Sequence, residues 1–500
     1  MFSPVMTRRE QQVQARSETG DADFAPQPVR WRILIVLLAA IFMSLIAVSI
    51  VNVALPSIQS GLGASESDLQ WVLSGYALTF GVVLVAAGRA GDIVGRGGIF
   101  VIGVVVFTAA SVASSIAPNP EMLNAARFVQ GVGSGLLNPQ GVGMIQQYFR
   151  GAERGRAFGY FGSVVGVAVG IGPVLGGLLI RLGGPDFGWR LTFLVNVPVG
   201  IVTIILAFLW FPKPLFRRRP AGEVSSAGRT SIDPVGSLLL GLAVLAMLFP
   251  FMESRTAAGT WLLFPVGVLL VVAWVKWERR YAARGRSPMV DLRIFRTKSF
   301  TNGSVIVTLY FLGMTSIWVL VAMYMQQGAG KSALEAGTVG IPSAILSAIA
   351  ANWAGKRVTQ LGRKIVIGGL YFALFGLALS VAVAVLHEAI GLSVWWLMLS
   401  LAFIGIAQGS VISPNQTLTL AEVPLQYAGS SGAIMQTGQR MGTSIGIAVI
   451  TAAVFVSLES TSWSTAVAIG FGLIALVVTT ALVMAYKDQW DRRRAGTPYA

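Results

Sequence analysis

The chain contains no cysteine and a single histidine, His387, in 500 residues. The first absence excludes disulfides and thiolate metal sites, and the second leaves no ligand set for a catalytic zinc. Charge is also scarce. Charged residues make up 12% of the chain against 54% hydrophobic, and the mean hydropathy is +0.71. A water-soluble protein of this length needs far more polar surface, so the composition leaves a polytopic membrane protein. Outside the apolar runs no segment is longer than a leader of about thirty residues, which gives an enzyme little from which to build an active site. No cofactor or metal is expected.

What the sequence does have is a succession of apolar stretches. Fourteen membrane spans are predicted between residues 33 and 486, for an all-α integral membrane fold. Residues 1–31 read as a disordered leader, 32–211 as an N-terminal six-helix bundle, and 212–299 as basic linkers holding two extra helices. Residues 300–486 read as a C-terminal six-helix bundle and 487–500 as a tail. The net charge of +16 would suggest nucleic acid in a soluble domain. With both termini placed in the cytoplasm, however, every Lys and Arg falls inside except Arg181, Arg190, Arg255 and Lys331 outside and Arg127 and Arg440 within spans. That distribution is the positive-inside bias of a membrane protein, and no nucleic acid is needed to explain it. RRRP at 217–220 and DRRR at 491–494 serve as topology signals or touch anionic lipid.

The stretch from Leu123 to Gly177 organises the rest. LNAARFVQGVGSG carries one cation, Arg127, among small and apolar residues, with Gln130 a turn away, and a buried cation costs several kcal/mol unless it faces protein or water. GVAVGIGPVLGG lines a helix with glycines around Pro173, which permits close helix approach and a bend. The chain also repeats. GRAGDIVGRGG (88–98) returns as GKRVTQLGRKI (355–365), a shift of 267 residues, and RFVQGVGSGLLNP (127–139) lies over AFIGIAQGSVISP (402–414). Spans one to six thus correspond to nine to fourteen, and seven and eight have no counterpart. Parallel halves of this kind fit a transporter that rocks around a central site.

These motifs resemble those of the major facilitator superfamily. GRAGDIVGRGG is similar to its cytoplasmic loop motif, LNAARFVQGVG to its fourth-helix motif, and GIGPVLGG to the fifth-helix motif of its antiporters. The two extra helices, with VNVALP (51–56) and WRLTFLVNVPVG (189–200), resemble the fourteen-span drug:proton antiporter branch. The resemblance implies export of small molecules from a bacterial cytoplasmic membrane by a monomer working by alternating access.

Each motif admits two readings. Gly88, Asp92, Gly95 and Arg96 form a conformational latch across the seam between the halves, or simply a tight charged turn. Arg127 and Gln130 take part in coupling or translocation, as the resemblance implies, or Arg127 is a structural cation bonded to helix carbonyls. Arg440 is open in the same way. Gly172, Pro173, Gly176 and Gly177 are packing, or the hinge and leak barrier that the resemblance assigns them. Asn52, Asn138, Gln140, Asn415, Gln416, Gln436 and Gln439 are deep amides that line a shared cavity or act as interhelical glue.

One position departs from the branch. Its members carry an acid in helix one where this chain has Ala47, and none of the 21 acids falls in the middle of a predicted span. Weak or absent proton coupling is therefore expected, or coupling through an end-of-helix acid such as Glu121 or Glu335. His387 beside Glu388 offers a further titratable pair at an outer helix end. Export of amphipathic or lipophilic compounds is the leading function. A lipid carrier or uncoupled facilitator comes next, and a membrane enzyme is the remote alternative.

Overall fold

Two helices open in the same way, and they show how the repeat is written into the fold. Ser65 accepts a hydrogen bond from the Asp68 backbone N–H at 3.2 Å while the Asp68 carboxylate accepts from the Ser65 N–H at 2.9 Å. Ser332 and Glu335 repeat this reciprocal cap at 3.3 and 2.9 Å, 267 residues later. Each cap satisfies helix N–H groups that have no partner inside the helix. The glycines before them match too, Gly63 at φ 63° and Gly330 at φ 65°, a left-handed turn that side chains resist.

The computed structural model describes residues 27–216, 233–252, 258–286 and 288–495. Most of the leader, the RRRP run at 217–220, Arg255 and the end of the tail lie outside the described residues. Sixteen helices are described here: α1 (Gln27–Leu62), α2 (Glu66–Val94), α3 (Arg96–Ser115), α4 (Pro120–Tyr148), α5 (Gly151–Leu194), α6 (Asn196–Trp210), α7 (Pro234–Met252) and α8 (Leu263–Ala283). They continue as α9 (Lys298–Met314), α10 (Ser316–Met323), α11 (Ala333–Thr338), α12 (Ile341–Leu361), α13 (Arg363–Ile390), α14 (Leu397–Thr419), α15 (Ala428–Leu458) and α16 (Trp463–Ala495). Within α5 the chain reverses at Gly184, φ 73°, where Gly188 lies so close to Ile180 that a Cβ on it would meet the Ile180 carbonyl at 2.5 Å.

Among the described residues twelve helices are long and apolar enough to cross a membrane. Two of the fourteen predicted spans are absent from that set, α4 and α12. Their lengths, 29 and 21 residues, fall within the range of the others, but Gly, Ser, Asn and Gln dilute their apolar content: α4 is largely covered by neighbouring helices, while α12 keeps an outer apolar face of Ile345, Ile349 and Trp353 opposite its small-residue face. Gly133 of α4 sits against the Phe107 backbone of α3, and Gly131 against the Tyr76 carbonyl of α2. Elsewhere the outer surface is strongly apolar: Leu182, Leu209, Leu269 and Leu476 are each at least 65% exposed. Such a band is untenable in water and natural in lipid.

One large apolar core joins α9 to α16 around Ile306, Leu320, Leu370 and Phe471. A second gathers α1 to α6 around Leu37, Phe80, Phe107 and Phe158 and extends to Trp274 of α8. α7 lies against α2 through Leu248, which contacts Gly81, and Leu78, Val244 and Leu248 form a small cluster with Met441 of α15 packed on it. α8 packs on α7, with Met247 against Gly267.

Candidate translocation site

The start of α1, the α2–α3 turn, the start of α15 and the end of α16 lie at one end of the bundle, here termed the basal end. Asp92 closes it. Its Oδ1 accepts from Arg96 Nε and Nη2 at 3.1 and 2.8 Å and from the Gly429 N–H at 3.0 Å, and its Oδ2 accepts from the Ser430 N–H at 2.9 Å and Ser430 Oγ at 3.0 Å. Asp92 thus reaches from one half of the chain to the first turn of α15 in the other. A carboxylate is favoured there because the unpaired N–H groups and the dipole converge on it. Arg96 spans the same gap, donating to the Leu425 carbonyl at 2.8 Å and to Gln147 at 2.7 Å. Gln146 adds bonds to the Leu420 and Val423 carbonyls at 3.0 and 3.3 Å. Gly88 is required for this approach, since a Cβ on it would lie 2.6 Å from the Gly429 carbonyl oxygen. Gly95 ends α2 at φ 122° and starts the turn to Arg96.

The repeat places Arg363 where Arg96 stands in the first half, and its surroundings differ. Arg363 is fully buried, donates to Asp488 Oδ2 at 2.7 Å and to Asn415 Oδ1, and Asp488 also accepts from Asn302 at 2.9 Å. Arg492 joins through Asp488 and Glu422. This network ties α9, α13, α14 and α16 together inside one half. It was not anticipated from the sequence, where only the Gly-Arg frame was visible and Asp488 read as a residue of the tail.

On the other side of the bundle the two halves meet through glycine. Gly155, Gly159, Gly162, Gly166 and Gly170 of α5 face Gly355, Ala351, Ser347 and Ala344 of α12 at contact distance. Ser163 adds a bond to the Ala348 carbonyl at 2.7 Å. The fifth-helix motif points elsewhere. Gly172 and Gly176 pack on Ser49 and Ile50 of α1, Gly177 has open space beside it, and Pro173 touches the other half beside Gly337.

Arg127 lies inside the first half instead of at the seam. It is 1% exposed, donates to the Val72 carbonyl at 2.8 Å and to Gln130 Oε1 at 2.5 Å, and sits over the Tyr76 ring at 4.4 Å. Gln130 passes the chain on to Ser111 at 2.7 Å. Tyr76 in turn closes a hydroxyl cluster with Ser44 and Ser134, at 3.2 and 2.5 Å, which Asn138 joins through Ser44 at 3.1 Å. On the far side of that aromatic pair, Arg440 of α15 stands over the Phe80 ring at 4.3 Å.

The amides divide. Gln140 donates to the Ala87 carbonyl and Asn415 to the Gly303 carbonyl, each within its own half. Gln416 is buried on α14. Asn52 is exposed on α1; Asn138 on α4 and Gln436 on α15 are each 8% exposed, Asn138 donating to Ser44 and the Ser134 carbonyl, and Gln439 on α15 is half-buried. Ala47 is buried at 1%. Of the candidate proton carriers, Glu121 is an exposed first-turn acid. Glu335 is held below the ordinary carboxyl range by the Ser332 backbone and hydroxyl bonds that make it a cap. His387 bonds the Leu392 carbonyl at 2.7 Å, and Glu388 bonds Ser462 at 2.6 Å. Asp233 and Glu278, fully buried where α7 and α8 meet at the basal end, were read from sequence only as loop-side acids. Asp233 accepts from Trp277 at 2.8 Å and Glu278 from the Met289 N–H at 3.1 Å.

The sequence profile of the Major Facilitator Superfamily matches residues 37–447. The chain belongs to that superfamily. Among curated relatives it is similar to a probable actinorhodin transporter of Streptomyces coelicolor, 34% identical over 85% of this chain and 72% of the relative. It is also similar to a puromycin resistance protein of Streptomyces alboniger, 30% identical over 85% and 82%. A multidrug resistance protein, Stp, of Mycobacterium tuberculosis is 27% identical over 82% and 73%. In fold it matches the human organic anion transporter MFSD10, with TM-score 0.67 at 13% identity over 92% of this chain and all of the other. The proton:xylose symporter XylE gives TM-score 0.66 at 14% identity over 93% and 96%. The chain is accordingly a multi-pass membrane transporter with bacterial relatives, and the superfamily is one of transporters, not enzymes.

Proposed function

We propose that the protein exports amphipathic or lipophilic small molecules across a bacterial cytoplasmic membrane by alternating access, as a monomer with fourteen spans and both termini inside. The observation that carries this reading is Asp92 seated on the first turn of α15. It is a charge-assisted contact that joins the two halves at one end only and must break for that end to open. Relatives named for actinorhodin transport, puromycin resistance and tetracenomycin export support the direction of transport and the class of cargo. In this reading the basal end faces the cytoplasm, the first and last six spans form two bundles, and α7 and α8 stand outside them. Gly88, Asp92, Gly95 and Arg96 are the latch, Arg127 and Gln130 brace α2 against α4, and the polar groups around Asn138, Gln436 and Gln439 meet the cargo.

Stoichiometric proton antiport is not expected. Ala47 holds the helix-one position, Glu335 is committed to a cap, and a proton carried by an exposed acid such as Glu121 moves little charge through the membrane field, where a full charge across 100 mV is worth about 2.3 kcal/mol. A lipid carrier or uncoupled facilitator is the second reading, favoured by the same lack of an intramembrane acid. Flux of puromycin and of fluorescent lipid in proteoliposomes, with and without an imposed pH gradient, tests all of this. Puromycin movement that the pH gradient does not drive is the expected result. Movement of lipid alone would replace the export reading, and release of one or more protons per cargo with Glu121 and Glu335 both substituted would overturn the coupling reading.

A further inference from the structure

Two guanidinium groups flank the aromatic pair Tyr76 and Phe80, whose rings lie 6.0 Å apart on α2. Arg127, on one side, is completely provided for by a carbonyl and an amide. Arg440, on the other, is half-buried and has the Phe80 ring as its contact, with no hydrogen bond or ion pair among the described residues. Nor does the sequence hold an acid within reach along the helices around it. α1, α9, α12 and α15 contain none, α4 has none after Glu121, and α2 has none between Asp68 and Asp92. The opposite face of α15 is occupied, because Gly438, Gly442 and Gly446 lie against Thr308 and Leu312 of α9, so Arg440 is directed away from that contact and toward α2.

A cation in the middle of a membrane protein with no protein counter-charge requires water or an anion, since an aromatic face compensates only a small part of its desolvation. The guanidinium fork fits a carboxylate by two parallel hydrogen bonds and can also donate to the single oxygen of an ionised phenol. Its surroundings carry no charge: Phe80 packs under it, and the self-bonded Ser44–Tyr76–Ser134–Asn138 cluster and Gln436, buried in this arrangement, are neutral polar groups. We propose that Arg440 is an anion-binding residue of the translocation path, selecting aromatic amphipathic cargo that carries a carboxylate or acidic hydroxyl. This rests on the export reading for the direction of movement, but not for the binding itself.

Binding and transport are therefore measured separately. The purified full-length protein is titrated with anthraquinone-2-carboxylate and with the neutral anthraquinone-2-carboxamide, following quenching of tryptophan fluorescence. The parent protein should bind the carboxylate about tenfold or more tightly than the amide. Arg440→Gln should lose most of that preference while amide binding and melting temperature stay within error, and Arg440→Lys should keep an intermediate preference. Equal affinity for the two probes, failure to bind the carboxylate, or an unchanged preference in Arg440→Gln overturns the proposal. So does displacement of the bound carboxylate by chloride at equal concentration, which would make the site a simple halide site. Flux of both probes in proteoliposomes separates the two claims. Carboxylate that binds through Arg440 without crossing would defeat the export reading and leave the anion site standing. Equal flux of both probes, indifferent to Arg440→Gln, would do the reverse.

Discussion

The α2–α3 and α12–α13 turns are copies of one motif, and they hold their arginines to opposite ends. Arg96 pairs with Asp92, and the pair binds backbone of the other half: the Gly429 and Ser430 N–H groups and the Leu425 carbonyl. Arg363 has Thr359 where Asp92 would be, and it pairs instead with Asp488 and Asn415 of its own half. One acid moved along the chain changes a contact between bodies into a brace within a body. A contact that must form and break has to be offset by water when open, and in the closed arrangement the Arg96 side chain keeps 10% of its surface exposed while that of Asp92 keeps 1%. A brace need not be offset, so Arg363 is fully buried.

That contrast can be broken most forcefully at Arg363. Arg363→Ala removes the close cation of buried Asp488 and leaves it only the longer 3.5 Å contact with Arg492, a loss of about 3–5 kcal/mol. A large fall in melting temperature and in monodisperse yield is expected, with little left to assay; a well-folded variant with normal transport would show that the brace is dispensable. Asp92→Asn should leave stability nearly intact and instead favour opening of the basal end. Charge-assisted hydrogen bonds contribute about 1.5–3 kcal/mol, so the closed population should drop roughly ten- to a hundredfold relative to the open one. The cysteine-free chain makes this simple to read, by the labelling rate of a single cysteine introduced at Ser431, which is buried behind the contact. Equal rates in variant and parent would remove Asp92 from the latch.

Gly88→Val sharpens the same point by sterics. Its Cβ would overlap the Gly429 carbonyl only when the end is closed, and overpacking of that kind costs about 1–3 kcal/mol; Gly177→Val, with free space beside it, should change the labelling rate little. The smallest effect is expected at Asp291, which ties the segment before α9 to Tyr427 at 2.8 Å, next to the start of α15. Burial opposes its ionisation, but bonds from Arg293 and Tyr427 outweigh this and hold its carboxyl below the ordinary range. A carboxyl with a lowered folded pKa contributes stability that is complete above its unfolded value, near 3.9, and is lost only as pH falls through the lower folded value. Melting temperature attributable to this contact should thus be flat from pH 5 to 8 and decline below about pH 4, and Asp291→Asn should abolish that acid dependence while changing neutral stability slightly.

Much of this architecture was legible in the sequence, because hydropathy reports the depth of a residue in the membrane and the repeat reports its place in the order of helices. The helix ends, the 267-residue register and the pairing of Asp92 with Arg96 could all be read from spacing. The direction a residue faces around its helix could not. Gln140, Asn415 and Asn138 all look suited to a cavity, yet each serves a carbonyl inside its own half. Arg127 and Arg440 look alike as lone cations in apolar runs, and only the positions of Val72, Gln130 and Phe80 distinguish the satisfied one from the other. Apolar content was a weaker guide for α4, since a helix largely covered by protein has less need to be oily. Asp233, Glu278 and Asp488 were missed for a related reason: a charged residue close to a span end reads as solvated until another helix covers it.

The glycine face shared by α5 and α12 has little to interlock. Where side chains interdigitate, one helix can move past another only by lifting out of its groove or by changing rotamers, each a discrete barrier. From Gly155 to Gly170 the glycines meet backbone at Gly355 and Ala351 and mostly the short side chains of Ala344, Ser347, Ala351 and Ser413, which present shallow teeth. The two halves can therefore tilt about this line as a smooth bearing, keeping contact throughout, while the Asp92 side opens wide. Motion of this kind would be lopsided, widest at α2 and α15 and least at α5 and α12.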